Sequence, residues 1–223
     1  MSAQGRQTPR DQRRRTHGQN FLVDPGVVRR FLSSAELRPN QLVVDIGAGT
    51  GALTIPLARA DARVIAIERD PVWARHLGRS LRAAGLATRT RVIQADFRDV
   101  RLPDEPYRVV SNPPFSLTTA LLSWLLDDPD RGPWRADLLL QREVARKRAA
   151  EPPTSLRSAG WAPWWTFEVG ETVDRRAFRP VPSVDAAWLS VRKREPPLLP
   201  TWLASNFAAV LRTAWTPPPP KAR

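Results

Sequence analysis

The chain has 223 residues, 42% of them hydrophobic and 26% charged, which is typical of one globular domain with at most a small appendage. The chain has no cysteine, which excludes disulfides and thiolate chemistry. It also lacks both a bilayer-spanning apolar run and the apolar stretch of a secretory signal, so we expect a cytoplasmic protein. The 35 basic residues outnumber 22 acidic ones, and the net charge of +13 favours a nucleic-acid partner over a membrane, although an arginine-rich chain is also typical of a GC-rich genome.

The chain begins with a basic segment that contains no apolar run. Residues 1–16 contain five arginines and one acidic residue, so we expect a flexible basic arm in which Arg13, Arg14 and Arg15 contact nucleic acid. Asp24 followed by Pro25 is typical of a helix start, and the apolar residues that follow recur at helical spacing. This pattern predicts a helix over residues 25–35.

Short apolar runs alternate with helical patterns between residues 42 and 150. The apolar runs predict strands over residues 42–46, 64–68, 92–96, 107–112 and 138–141. The intervening segments predict helices over residues 52–60, 71–85, 117–126 and 142–150. Because buried strands that alternate with helices are typical of a parallel sheet covered on both faces, the predicted fold class is α/β.

The pattern changes after residue 150. Residues 164–169 and 187–191 predict two late strands, on either side of a proline-rich loop at 178–183. Residues 195–223 contain one candidate helix, over 202–213, and end in a proline run with a basic tip. We therefore expect a main domain over residues 17–194 and a short, proline-rich C-terminal appendage over 195–223.

A glycine-rich segment follows the predicted strand 42–46. Gly47 and Gly49 allow the backbone to approach a ligand closely, and the helix that follows begins with free N–H groups. Glu68 and Asp96 end the next two predicted strands, at the sheet edge where ligands of open α/β proteins bind. Glu68 can accept both hydroxyls of a ribose, and Asp96 can accept an adenine amino group with Phe97 beside the ring. A dinucleotide enzyme would explain Glu68 but not Asp96.

The segment Asn112-Pro113-Pro114-Phe115 ends the fourth predicted strand and suits methyl transfer to an exocyclic amine. The lone pair of such an amine is delocalised into the aromatic ring, which makes it a poor nucleophile. The Asn112 side-chain oxygen and the Pro113 carbonyl can each accept one N–H bond, which directs the lone pair at a sulfonium methyl group. The prolines restrict the backbone, and Phe115 can stack on the base, a contact worth about 1–3 kcal/mol.

Together with three further segments, these motifs resemble the ribosomal RNA adenine N6-methyltransferase family, which uses S-adenosylmethionine. The segments read HGQNFL at 17–22, QREVA at 141–145 and FRPVPSVD at 178–185. The resemblance covers residues 13 to 194 and implies a Rossmann-like, S-adenosylmethionine-dependent methyltransferase fold. It also implies cofactor contacts at Asn20, Leu22, Gly47, Glu68, Asp96 and Asn112.

Two branches of this family share these motifs. One, Erm, methylates 23S ribosomal RNA and confers macrolide, lincosamide and streptogramin B resistance, and the other is the small-subunit (16S) dimethyladenosine transferase. The basic arm and the Arg/Ala/Pro-rich composition resemble actinomycete Erm proteins, so we expect N6-methylation of a 23S adenine. The alternatives are 16S dimethylation and a non-catalytic RNA-binding module on a methyltransferase fold.

Two departures from the family pattern concern chemistry and RNA docking. Asn-Pro-Pro-Phe replaces the Asn-Ile/Leu-Pro-Tyr of both branches but keeps both acceptors, and the helical C-terminal domain is reduced to residues 195–223. Because a short C-terminal segment would enclose less RNA, we expect methylation of 23S RNA before ribosome assembly is complete. We also expect a monomer. Arg142, Arg146 and Lys147 of the predicted basic helix are further candidate RNA contacts. With two histidines and no cysteine, no metal site is expected.

Overall fold

The computed structural model describes residues 20–215. Asp24 and Asp70 start two helices as N-caps: each carboxylate accepts hydrogen bonds from two backbone N–H groups of the first turn, and a proline follows each of them. The predicted helix over 25–35 is confirmed. The first half of the fold contains β1 (Phe21–Leu22), α1 (Pro25–Ala35), β2 (Leu42–Ile46), α2 (Thr54–Arg59), β3 (Arg63–Glu68), α3 (Pro71–Ala83), β4 (Thr90–Gln94) and β5 (Arg108–Ser111).

The second half of the fold begins with a helix that leads into the last parallel strand, and it ends with a short helical segment. The elements are α4 (Thr118–Leu126), β6 (Arg135–Gln141), α5 (Arg142–Arg148), α6 (Leu156–Trp161), β7 (Trp165–Val173), β8 (Phe178–Arg179), β9 (Ala186–Lys193) and α7 (Ala204–Ala214). Short 3-10 turns precede α4, β8 and α7, and another follows β4.

Seven strands form the central sheet, in the order β4-β3-β2-β5-β6-β9-β7. The strands from β2 to β6 are parallel, and β9 is antiparallel to both of its neighbours, β6 and β7. Because β2 lies between β3 and β5, the strand order reverses there. In open α/β sheets, ligands bind above the carboxyl ends of the strands at this reversal. The predicted α/β class is confirmed.

The core lies on both faces of the sheet, because successive side chains of a strand point to opposite faces. On one face, Val44 and Val109 pack with α4 and with the three tryptophans at 161, 164 and 165. On the other face, Val43 and Val110 pack with α1 and α2. The three tryptophans are at most 4% exposed and are therefore part of the core.

Three features differ from the sequence-based expectations. The strand predicted over 92–96 was wrong at its bounds, since β4 ends at Gln94 and Asp96 begins a 3-10 turn. Residues 178–179, expected in a loop, form β8, which pairs with β1 in a separate two-stranded sheet. Helix α6 was not predicted; Ser155 caps it by accepting the Ser158 N–H.

The described part of the C-terminal segment packs against the main domain. The predicted helix over 202–213 lies at Ala204–Ala214, and the rings of Phe207 and Trp164 meet edge-on with centroids 5.8 Å apart. Trp164 Nε1 donates to the Leu199 carbonyl at 2.9 Å. The basic arm at 1–16 and the proline run near the C-terminus lie outside the described residues. Within residues 20–215, no helix is long and apolar enough to cross a membrane.

Candidate active site

The loop after β2 has a backbone that requires glycine. Gly47 and Gly49 have φ values of +75° and +52°, in the left-handed region that other residues rarely adopt. A Cβ atom on Gly49 would lie 2.8 Å from the Phe21 ring, and one on Gly47 would lie 3.0 Å from Pro114 Cδ. The loop is therefore packed closely between β1 and the turn that follows β5.

Glu68, the last residue of β3, holds this loop in place. It is 2% exposed, and its two carboxylate oxygens accept the backbone N–H groups of Gly49 and Asp70, each at 2.8 Å. Burial raises the pKa of Glu68, and the two N–H groups act in the opposite direction. Each oxygen keeps a lone pair with which it can accept a further hydrogen bond.

Asp45, within β2, is a buried acid to which the sequence analysis assigned no role. It is 2% exposed, and one carboxylate oxygen accepts a hydrogen bond from Thr54 Oγ1 at 2.6 Å. Burial, with the charge of Glu68 as a smaller contribution, raises the pKa of Asp45 to about 7. Its position in an otherwise apolar strand, directly before the glycine loop, was the signal that could have found it.

Asp96 is bound by arginine. The Arg98 guanidinium donates to both Asp96 oxygens, at 2.9 and 2.7 Å, and Arg69 Nη1 lies 3.7 Å away. The hydrogen bonds from Arg98 lower the pKa of Asp96 to about 2, so this carboxylate is ionised at neutral pH. Phe97 is buried, with its ring edge-on to Trp124 at 5.4 Å.

Asn112 follows β5 and faces the segment before β1. Its Nδ2 donates to the Asn20 carbonyl at 3.0 Å. Its Oδ1 is buried and has no hydrogen-bond partner among the described residues. Ser111 Oγ donates to the Ile46 carbonyl at 2.6 Å, which joins the ends of β5 and β2. The amide group is therefore anchored through its nitrogen, and its oxygen is available to a ligand.

The turn after Asn112 is built by the two prolines. The Pro114 carbonyl accepts the Leu117 N–H at 2.9 Å, and the Phe115 carbonyl accepts Thr118 Oγ1–H at 3.0 Å. The Phe115 ring is half-buried and meets Phe178 of β8 edge-on, with centroids 6.1 Å apart. The short β1–β8 sheet thus supports the turn that carries the Asn-Pro-Pro-Phe motif.

Two adjoining pockets lie above the carboxyl ends of the parallel strands and share Gly47 and Pro114. Asn20, Leu22, Asp45 and Asn112 are among the residues that line the first pocket. Glu68, Asp96, Phe97 and Pro113 are among those that line the second. The predicted catalytic and cofactor-binding residues thus come together, with two exceptions. Gly49 acts through its hydrogen bond to Glu68, and Phe115 packs against β8.

The candidate RNA contacts lie on α5, directly after β6. Arg142 Nε lies 3.3 Å from Glu143 Oε1, and Arg142 Nη1 lies 3.6 Å from Asp185. Arg146 lies 3.8 Å from the same Glu143 oxygen, and Lys147 is exposed. The helix ends at Arg148, two residues before its predicted end. Arg13, Arg14 and Arg15 lie outside the described residues.

The reversed strand order, with the glycine loop and the Asn-Pro-Pro-Phe turn facing each other across it, defines a Rossmann-like methyltransferase. The crystal structure of the 23S rRNA methyltransferase ErmE superposes with a TM-score of 0.75 at 35% identity, covering 86% of this chain and 78% of that one. The expected fold is confirmed. The chain also matches the ribosomal RNA adenine dimethylase family over residues 10–216.

Curated relatives agree with this match. An rRNA methyltransferase of Streptomyces thermotolerans is 40% identical, covering 92% of this chain and 68% of that protein. The mycinamicin-resistance protein MyrB of Micromonospora griseorubida is 38% identical over 90% of this chain and 62% of its own length. The ribosomal RNA small subunit methyltransferase A of Streptomyces coelicolor is 34% identical, covering 89% of this chain and 71% of that protein. The chain therefore belongs to the ribosomal RNA adenine dimethylase family, which confirms the resemblance and the enzyme class expected from the sequence.

Proposed function

We propose that the protein transfers a methyl group from S-adenosylmethionine to N6 of an adenine in 23S ribosomal RNA and thereby confers macrolide, lincosamide and streptogramin B resistance. The observation that carries this proposal is the buried Oδ1 of Asn112, which has no hydrogen-bond partner among the described residues. A buried acceptor without a partner costs about 1–3 kcal/mol. An N–H of an adenine amine flipped into the site would satisfy it.

The residues of the two pockets fit a positively charged nucleoside cofactor. Asp45, Glu68 and Asp96 supply carboxylates, while Leu22 and Phe97 supply apolar surface. Glu68 can accept the ribose hydroxyls with its free lone pairs, and Asp96 can accept the adenine amine with the lone pair that the arginines leave free. When bound, S-adenosylmethionine supplies a methyl group on a positively charged sulfur.

The chain's own task is to orient the amine that is methylated. The Asn112 oxygen and the Pro113 carbonyl accept its two N–H bonds, which leaves the nitrogen lone pair directed at the incoming methyl group. The Asn20 carbonyl fixes the Asn112 amide, so its geometry is set before the base arrives. No strong general base is needed, because the methylated amine loses its proton readily.

Phe115 is proposed to capture the flipped base. Its ring meets Phe178 edge-on, which orients it without stacking a protein side chain on it. Stacking of an adenine on such a ring contributes about 1–3 kcal/mol. The β1–β8 sheet thereby connects base capture by Phe115 to the cofactor residues Asn20 and Leu22.

The large-subunit target is supported by the named activities of two similar proteins, the 23S methyltransferase ErmE and a mycinamicin-resistance protein. The test is to express the protein and its Asn112→Ala variant in a macrolide-sensitive bacterium, measure resistance, and map N6-methylated adenines in both ribosomal RNAs. We expect resistance and 23S methylation with the wild type alone. Methylation confined to 16S RNA without resistance would support the small-subunit alternative, and failure to bind S-adenosylmethionine would support a non-catalytic module.

The substrate state is proposed to be 23S RNA before ribosome assembly is complete, with the protein acting as a monomer. Adenines that leave their stack lie in junctions and loops, which ribosomal proteins cover as assembly proceeds. Methylation rates on protein-free 23S RNA and on finished large subunits test this directly. Equal rates on both substrates would contradict the proposed timing.

A further inference from the structure

A buried arginine outside the candidate active site has no acidic partner within residues 20–215. Arg148 is the last residue of α5, and it is only 8% exposed. Among the described residues, no carboxylate forms an ion pair with its guanidinium, and the charged side chain that influences it is another arginine, Arg157. Arg108, which is fully buried, differs in that it forms an ion pair with Asp137.

The surroundings of Arg148 orient its side chain without neutralising its charge. Nη1 donates to the hydroxyl oxygens of Ser155 and Ser158, at 3.0 and 3.4 Å. The guanidinium carbon lies 5.5 Å from the centre of the Trp161 ring. Nε is buried and has no hydrogen-bond partner within residues 20–215. The guanidinium therefore keeps donor capacity after its contacts within the protein have been made.

Such a group is electrostatically unfavourable when nothing else is bound. A charge that is removed from water without a counter-charge is costly, and folded proteins pair such charges or bind ions to them. Burial lowers the pKa of Arg148, and the nearby Arg157 lowers it further. Arginine nevertheless stays protonated in proteins, so the positive charge remains, and a bound anion would compensate it.

A pocket opens beside Arg148, and we call it the Arg148 pocket. Arg194 also lines it, with its Nε held by the Ala162 carbonyl at 2.8 Å. One acidic residue, Glu151, also lines the pocket; it is exposed, and within residues 20–215 it forms no ion pair with either arginine. The remaining residues that line the pocket are uncharged, and most of them are apolar, among them Trp165, Phe167 and Leu198.

We propose that the Arg148 pocket binds a phosphate group and that this phosphate belongs to the backbone of the RNA substrate. Two arginines and the Ser158 hydroxyl supply the donors that a phosphate recognises, and mostly apolar residues surround them. The RNA source of the phosphate rests on the proposed function, whereas phosphate binding itself does not. The pocket lies beside β7, the edge strand of the sheet, so it would extend the RNA contacts beyond α5.

The first experiment tests the pocket without RNA. Thermal unfolding is measured in phosphate and in chloride at equal ionic strength for the wild type, Arg148→Gln, Arg148→Lys and the control Arg79→Gln. Arg79 is an exposed arginine of α3, which packs against the opposite edge strand, β4. Phosphate at tenfold its Kd should raise the Tm of the wild type and the control by roughly 3–6 °C. The rise should be smaller in Arg148→Lys and absent in Arg148→Gln.

An equal phosphate effect in all four proteins would overturn the proposal. If Arg148→Gln does not fold, the Arg148→Lys variant decides, because a lysine cannot donate the paired hydrogen bonds of an arginine. If phosphate then raises the Tm of Arg148→Lys as much as that of the wild type, the proposed phosphate site is overturned.

The second experiment tests the RNA source. The affinity for a 23S RNA fragment is measured at several salt concentrations, since the slope of log K against log salt falls by roughly 0.7–0.9 for each phosphate that the protein ceases to neutralise. Arg148→Gln should show this decrease relative to Arg79→Gln. A phosphate effect on Tm with an unchanged RNA slope would overturn the assignment to RNA. A wild type that binds phosphate but methylates no RNA would instead contradict the proposed function and leave the phosphate site intact.

Discussion

At the scale of single residues, Asn112 connects the geometry of the site to its chemistry. Replacing it by alanine removes the free Oδ1 acceptor while the fold around it persists, because Ser111 joins β5 to β2 independently. We expect the kcat of Asn112→Ala to fall about a hundredfold, as for the loss of one positioned hydrogen bond in a transition state, with RNA affinity changed little. The measurement is single-turnover methylation together with an RNA-binding titration.

The matched control is Asn206→Ala, which changes an exposed asparagine on α7. This control variant should leave both the kcat and the RNA affinity unchanged. A kcat of Asn112→Ala within twofold of the wild type would show that the amine is not held by this side chain.

Asp45 predicts a pH dependence of stability. Its pKa in the folded protein is raised to about 7, mainly by burial, whereas an unfolded aspartate titrates near 3.9. Between these values the native state binds more protons than the unfolded state, so the contribution of Asp45 to stability is lost as the pH rises from about 4 to 7. Urea unfolding of Asp45→Asn should therefore depend less on pH over this range than that of the wild type.

Burial also raises the pKa of Glu68, so the stability of Asp45→Asn should keep a residual dependence on pH. The exposed Asp104 supplies the control, because Asp104→Asn should keep the full slope of the wild type. A slope in Asp45→Asn as steep as in the wild type would contradict the raised pKa.

At the scale of the elements, a buried ion-pair network joins the first residues of β5 and β6. Arg108 and Arg135 both bind Asp137, and Ser190 Oγ of β9 donates to the same carboxylate at 3.0 Å. Asp137→Asn would leave two buried guanidinium groups without a buried counter-charge. Such a change costs about 3–5 kcal/mol of the free energy of unfolding, measured by urea titration.

A surface pair of the same chemistry provides the comparison. Arg101 and Asp104 are 2.9 Å apart and about three-quarters exposed, so Asp104→Asn should cost at most about 1 kcal/mol. If Asp104→Asn and Asp137→Asn reduce the free energy of unfolding equally, the buried ion-pair network contributes no more to stability than a surface contact.

At the scale of the whole molecule, a net charge of +13 predicts that RNA binding weakens steeply with salt. Residues 1–16 carry five of the arginines, and deleting them should reduce the slope of log K against log salt by roughly 0.7–0.9 for each phosphate that the arm neutralises. RNA affinity at several salt concentrations tests this for the full chain and the truncated one. An unchanged slope would show that the arm makes no contact with RNA.

The sequence alone predicted the strands of the parallel sheet and the helices between them, and it singled out residues that the structure brings to one edge of that sheet. Buried parallel strands leave apolar runs, and Asp-Pro caps and strand-end acids are local signals, so Gly47, Glu68 and Asn112 could be assigned without a structure. The bounds of β4 and the existence of α6 were harder to predict from the sequence, because polar residues and prolines interrupt the apolar patterns there.

Only the tertiary structure decided which polar groups are satisfied and which are not. Asn112 bonds to a residue 92 positions earlier, and β1 pairs with a strand more than 150 residues later, so neither contact leaves a local pattern. The burial of Arg148 without an acidic partner among the described residues likewise depends on which chain segments enclose its charge. Burial and hydrogen-bond partners are properties of the packed chain, because desolvation acts on a group only after distant segments have closed over it.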